Sequence, residues 1–238
     1  MSNYWVARTP ELIEMRMKPY NERDGKRVWL SADEIEQVID EAEGTEQTIA
    51  LKLGARCGLR RKEITEVTPV DLVTSEKGSH HLRIWEDVAK HDHYREPPVP
   101  DSLATEMRTM ADLTPMSDDD PFISVTDRTV YRWLDRATDR LEERTGDEGW
   151  TFVDVHDLRR SWATHILGEG VLPSVVMSWG GWHDWDVFRR HYLGEFSPEV
   201  LQRERQKVDY LATGAPLEAD SAGSGMPPSS SSPHYAND

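Results

Sequence analysis

Residues 154–170 read Asp-Val-His-Asp-Leu-Arg-Arg-Ser-Trp-Ala-Thr-His-Ile-Leu-Gly-Glu-Gly. Asp154 can accept a free N–H at a helix start, and Gly168 and Gly170 stop the helix, which predicts a helix over Val155 to Leu167. His156 and Arg159 stand at i, i+3 and share one face of it. Two cationic side chains so placed repel each other and disfavour a metal. They suit an anion, because a guanidinium fork can hold two oxygens of a phosphate at once.

The segments on either side also read mostly as helices. Ser31-Ala-Asp-Glu34 is a capping box opening a helix with Ile35, Val38 and Ile39 inward. Ile49, Leu53 and Cys57 recur every fourth residue, so a second helix ends near Gly58, and a third runs from about Lys62 to before Pro69. Thr126 to Arg144 puts Val130, Trp133, Leu134, Ala137 and Leu141 on one face. Pro173 starts a short helix reaching Trp179, another spans Asp186 to about Tyr192, and Ser197-Pro198-Glu199 opens a last one. Trp133, Trp162 and Trp179 fall on apolar helical faces and are expected in the core. His81 to Ala89 alternates as a strand, and Arg95 to Val99 is its expected edge partner, since Pro97 and Pro98 cannot donate to a ladder. The expected fold class is mainly α with a small antiparallel β-sheet. Residues 1–27 read as a polar, irregular N-terminal arm and 28–212 as the folded domain. Residues 213–238, rich in Gly, Pro and Ser, read as a disordered tail.

The 238 residues hold 28 Lys and Arg against 44 Asp and Glu, a net charge of −16. Only seven of those cations are lysine, a composition that suits a high-salt cytoplasm, where charge is screened over about 3 Å at 1 M. Cys57 is the single cysteine, which excludes a disulfide framework and a cysteine zinc site. There is no apolar run of membrane length and no signal-peptide core at the N-terminus, so a soluble cytoplasmic protein with no membrane partner is expected. His80, His81, His91 and His93 sit among acidic residues in a strand and turn, and solvation is the expected state for them, without metal.

Four separated segments carry reactive side chains: Gly58-Leu59-Arg60-Arg61-Lys62-Glu63-Ile64; Lys90 in the turn between the two strands, with Arg95 after it; His156 to Arg160; and Gly181-Trp182-His183 followed by Tyr192. Arginines that neutralise a phosphate, a lysine that protonates a leaving oxygen and a tyrosine nucleophile together suffice for phosphoryl transfer by positioning and charge. Neither metal nor cofactor enters such a scheme.

In this order and context the segments resemble the tyrosine recombinase family, also called the phage integrase family. GLRRKEI is similar to its first-arginine motif, with Glu63 three positions after Arg60. AKHDHYREPPVP is similar to its lysine hairpin, pointing to Lys90. HDLRRSWATHILGEG is similar to its His-x-x-Arg helix, and GGWHDWDVFRRHYLG to the region of the second His or Trp and the tyrosine. The resemblance covers about residues 28–212. It implies the DNA breaking-rejoining catalytic-domain fold and double-stranded DNA as partner, with a homo-oligomer on DNA and an accessory protein as further candidate partners. It implies that Arg60 and Arg159 bind the scissile phosphate, with Arg95 and Arg160 as further substrate-binding candidates. Lys90 would protonate the 5′-oxygen, His156 would act on the Tyr192 proton, and either Trp182 or His183 would brace the site. The product would be a 3′-phosphotyrosine. The same fold without catalysis, as a DNA-binding accessory protein, and a type IB topoisomerase are the competing readings. Only about 27 residues precede the match, where the family usually carries a DNA-grasping domain. The negative charge also opposes DNA binding unless cations are concentrated locally, and arginine doublets at 60–61, 159–160 and 189–190 are the candidates for that.

Overall fold

The computed structural model describes residues 15–20, 24–86, 94–192, 198–208 and 211, with the side chains of 190, 191 and 198–200 outside that set. Strands β1 (Arg16–Pro19) and β2 (Lys26–Trp29) form an antiparallel ribbon. Helices α1 (Ala32–Asp40), α2 (Thr45–Cys57) and the one-turn α3 (Arg61–Ile64) follow. Strands β3 (Leu72–Thr74), β4 (His80–Leu82) and β5 (Pro98–Val99) form a three-stranded antiparallel sheet in the order β3-β4-β5. The chain then runs through α4 (Asp101–Leu113), α5 (Asp127–Thr145), α6 (Val155–Gly168), α7 (Pro173–Gly180) and α8 (Trp185–Tyr192). Helix α9 (Pro198–Gln206) belongs to a second unit, Phe196–Asp238, where Glu204 pairs with Arg203 and Lys207.

Capping chemistry fixes the helix starts. Ser31 accepts from the Glu34 N–H while Glu34 reaches back to the Ser31 N–H, and Asp154 and Asp157 do the same at α6. The core is built around α2 and α6. Their close approach is set by Gly54, where an added Cβ would lie 3.3 Å from Leu158 Cδ1. A main apolar cluster joins Ile35, Ile49, Leu53, Leu59, Leu134 and Leu158. A second cluster, Trp162, Ala163, Leu167, Val176, Phe188 and Tyr192, packs α7 and α8 on the far half of α6.

Three features differ from the sequence reading. Part of the segment read as irregular is the β1–β2 ribbon: Met15, Val28 and Leu30 are buried, and Asp157 and Ser161 accept from the Val28 and Leu30 N–H groups, so polar contacts to α6 order a stretch too short to show periodicity. Strand β3 and helix α4 were also unforeseen. Of the three tryptophans expected in the core, Trp162 is buried, while Trp133 and Trp179 are half-buried. The tail 213–238, Lys90, His91 and His93 lie outside the described residues. Among the described residues no helix is long and apolar enough to cross a membrane.

Gly58 closes α2 at φ 66° with Trp162 against it, and a Cβ there would lie 2.2 Å from the indole ring. Gly58→Ala is therefore expected to destabilise by about 3 kcal/mol, from a left-handed non-glycine residue plus overpacking. Urea unfolding checks this, and a loss below about 0.5 kcal/mol, the range of an ordinary surface substitution, contradicts it.

Candidate active site

The left-handed turn at Gly58 releases the chain from α2 and brings Arg60 to the N-cap of α3. Arg60 donates from its backbone N–H to Glu63 Oε2 at 2.6 Å, from Nη1 to Glu63 Oε1 at 2.7 Å, and from Nη2 to the Gly181 carbonyl at 3.2 Å. Arg95 arrives from the sheet side. It donates from Nη2 to Glu63 Oε2 at 2.5 Å and from Nε to the Trp179 carbonyl at 3.1 Å. Glu63 is 1% exposed. Burial alone would raise its pKa, but the hydrogen bond from Arg95 and the charges of Arg95, Arg60 and Arg159 bring it down to about 2.

Arg159 completes the cluster. Its side chain crosses from α6 between the ends of two other helices, donating from Nη1 to the Gly58 carbonyl and from Nη2 to the Gly180 carbonyl. It is 1% exposed, with the Trp182 ring 4.0 Å from its guanidinium carbon. Burial first, and then the charges of Arg60 and Arg95, lower its pKa to about 9. Arg159 Nε and Arg95 Nη1 are buried with no hydrogen-bond partner among the described residues. Among the described residues three guanidiniums, two of them buried, thus stand around one carboxylate, an excess of positive charge that an anion would neutralise.

Trp182 covers this cluster. It stacks on Trp162 at 6.2 Å and contacts Phe188 at 5.2 Å and Tyr192 at 4.8 Å. Gly180 makes room for it: a Cβ there would lie 1.8 Å from Trp182 Cζ3. Tyr192, at the end of α8, is buried, with its ring also 4.9 Å from Phe188. Burial raises its phenol pKa against the opposing pull of Arg159, Arg160, Arg60 and a Trp182 hydrogen bond, so the phenol is protonated at neutral pH. His156 sits at the exposed start of α6. Partial desolvation, followed by the charges of Arg160 and Arg159, holds its pKa below the ordinary 6.5, so the ring is neutral at pH 7.

The structure brings Arg60, Arg95, Arg159, Trp182 and Tyr192 together, with His156 one helical turn before Arg159. It places Trp182, left open against His183 by the sequence, against Arg159 and Tyr192, while His183 is exposed. Arg160, about 100° further round α6, is paired with Asp157 and lies within 3.5 Å of the Val28 carbonyl. Phosphate contact by Arg160 would require breaking that pair. Arg61 is drawn off to Asp127 of α5 at 3.0 Å. Lys90 lies outside the described residues. The described residues on either side of that segment are held by the Ile84–Arg95 bridge and by Trp85, whose indole donates to Asp71 Oδ1 at 2.6 Å. The carbonyls of Gly58, Trp179, Gly180 and Gly181, which fix the three guanidiniums, escaped the sequence reading; the Gly180-Gly181 doublet was the one visible sign of crowding there. A cavity of about 790 Å³ bounded by Thr45, Glu106, Met110 and Phe122 shares none of these residues. Among the described residues no group of three or more His, Cys, Asp or Glu could hold a metal.

Residues 28–196 match the model of the phage integrase family. The chain belongs to the phage integrase family. Among solved structures, this integrase-family chain is similar to the XerA recombinase, with 18% identity and a TM-score of 0.58 over 80% of this chain and 65% of that one. It is also similar to the Tn1549 transposon integrase in complex with a circular intermediate DNA, with 14% identity and a TM-score of 0.59 over 79% and 68%. For the catalytic domain of bacteriophage HP1 integrase the values are 18% and 0.51 over 79% and 98%. The chain spans 65% of the XerA chain and 52% of a XerH recombinase, and nearly all of the HP1 catalytic domain. No curated protein sequence matches it. These likenesses show the expected fold class: mainly helical, with small antiparallel sheets.

Glu63 carries the electrostatic balance of this arginine cluster. Its pKa of about 2, below the ordinary 4.5, means that its stabilisation is complete above about pH 4.5 and is lost as pH falls toward 2. Glu63→Gln leaves buried guanidiniums uncompensated and is expected to cost about 3 kcal/mol at pH 7. The variant should also lose less stability than the parent between pH 5 and 3. Urea unfolding at pH 7, 5, 4 and 3 checks this, and parallel pH profiles contradict it.

Proposed function

We propose that the chain is a site-specific DNA recombinase or integrase that cuts and rejoins double-stranded DNA through a 3′-phosphotyrosyl intermediate, without metal or ATP. The observation that carries this reading is the surplus of guanidinium around Glu63, buried Arg95 and Arg159 and half-buried Arg60, beside the ring of Tyr192. A phosphodiester supplies the missing negative charge.

In this scheme Arg60 and Arg159 take the non-bridging oxygens, Arg159 through the Nε–H that its carbonyl contacts leave over. The Tyr192 oxygen attacks phosphorus, and its proton passes to neutral His156. The bond to the 5′-oxygen breaks, and Lys90 protonates that oxygen. Trp182 holds the Arg159 and Tyr192 side chains in register. One ester replaces another, so the reverse step, with the 5′-hydroxyl of a second strand, rejoins DNA. Exchange between two duplexes needs at least two copies of the chain, which supports a homo-oligomer on DNA. The acidic, lysine-poor composition supports a high-salt cytoplasm as its medium.

The test is a pool of nicked duplexes of randomised sequence, incubated with the protein in high salt and resolved on a denaturing gel. A covalent protein–DNA adduct is expected, abolished by Tyr192→Phe and slowed about 10²- to 10³-fold by Lys90→Ala, as for loss of a general acid. Duplex binding without any adduct overturns the enzyme and favours a DNA-binding accessory protein. An adduct that survives Tyr192→Phe overturns the choice of nucleophile.

A further inference from the structure

Among the described residues three buried side-chain donors have no hydrogen-bond partner: Arg95 Nη1, Arg159 Nε and Trp162 Nε1. The first two belong to the arginine cluster and suit an anion. The third takes no part in the phosphoryl transfer proposed for the site. An indole N–H left unpaired in the interior costs stability, and a phenyl ring at the same place would carry no such group. The polar end of Trp162 thus makes no bond within the described fold, and what the side chain contributes there is the packing of its ring.

That packing leads to the reacting groups. Trp162 stands three residues after Arg159, so the two side chains share one face of α6. Its ring lies against Gly58, where an added Cβ would sit 2.2 Å from Trp162 Cε3, and it stacks on Trp182 with the ring planes 22° apart. Trp182 repeats the arrangement at the end of α7. Gly181 closes that helix at φ 66°, the Trp182 N–H returns to the Met177 carbonyl at 3.0 Å, and the ring lies against Gly180. The backbone of Trp182 is thereby fixed, while its side-chain torsions are left to the neighbours of the ring. Trp162 is one of those neighbours. The Arg159 guanidinium at 4.0 Å and the Tyr192 ring at 4.8 Å are two others. The same two glycines also offer their carbonyls to Arg159. Each glycine therefore meets an indole at its bare Cα and the guanidinium at its oxygen, so the two rings and Arg159 pack as one unit.

We propose that Trp162 is a positioning residue for strand cleavage: its ring is the platform on which Trp182 lies, and through Trp182 it fixes the Tyr192 ring and the Arg159 guanidinium relative to each other. The inference rests on the DNA-cutting reading above and adds to it a residue that acts only through a neighbour. The phenol oxygen must meet phosphorus in line, and a misplacement of about 1 Å can cost about 10²-fold in rate. A stack that holds nucleophile and phosphate receptor at one separation therefore acts on the chemical step and leaves DNA affinity alone.

The experiment measures single-turnover adduct formation by the full chain on the nicked pool at saturating DNA, beside affinity for the same duplexes and urea unfolding of each variant. Trp162→Leu is expected to slow adduct formation about 10- to 100-fold, with affinity within about twofold of the parent. Trp162→Phe, which keeps an aromatic ring and discards the N–H, should stay within about threefold of the parent rate. A loss there equal to that of Trp162→Leu would make the N–H the working group and overturn the platform. Trp182→Leu should be at least as slow, and adding Trp162→Leu to it should change the rate by less than about twofold, because the two residues act through one stack. Losses that multiply in the double variant overturn action through Trp182. Trp133→Leu, which removes a half-buried indole from α5, should keep the parent rate; an equal loss there makes general destabilisation the cause and overturns the role. A parent rate in folded Trp162→Leu overturns the role and leaves the cutting reading standing. A parent chain that forms no adduct overturns the cutting reading and this role with it.

Discussion

The structure depends on one buried side chain. Arg159 spans from α6 to the last carbonyls of α2 and α7, through Gly58 and Gly180, and lies beneath the face of Trp182. That guanidinium ties the main apolar cluster to the second one, which contains Tyr192. The backbone at both contact points is pared down to suit it. Gly58 leaves room for Trp162, Gly180 for Trp182, and Gly181 for the Arg95 side chain, whose Cδ would lie 2.9 Å from an added Cβ. Burying a cation so deeply costs stability unless charge and hydrogen bonds compensate. Glu63 and four main-chain carbonyls compensate in part, and the guanidinium N–H groups left over are what an anion would complete.

This arrangement explains how much was legible in the sequence. Local signals were strong at α1 and α6, where capping boxes and a 3.6-residue period agree, and at Gly58, where a glycine after a periodic run marks a helix end. The cluster of Arg60, Arg159 and Tyr192 was legible through motif order. Carbonyl ligands leave no trace in side-chain identity, so the contacts that hold these arginines were not. Arg160 illustrates the same limit: next to Arg159 in sequence, it is turned by about 100° around the helix and serves the ribbon instead. The ribbon itself escaped notice because four-residue strands of alternating Arg, Lys and Met carry too little pattern, and because the contacts that order them come from residues about 130 positions away.

Charge distribution links fold and function. The arginine cluster concentrates positive charge beside α6. The acids that do approach those arginines hold them in place. Glu63 orients Arg60 and Arg95, and Asp157 holds Arg160 against β2. A net charge of −16 is therefore compatible with a nucleic-acid partner, because the field near the site is set by these neighbours and the remainder is screened within about 10 Å at ordinary salt.

The claim that Arg159 is at once the tie between the two clusters and the receptor for phosphate is tested most directly by nitrogen-15 NMR of its Nε–H group, assigned by comparison with Arg159→Lys. The account predicts a resonance protected from solvent exchange in the free protein that shifts when a duplex is added. A resonance that exchanges freely without DNA, or stays unmoved when the protein is saturated with duplex, would contradict it.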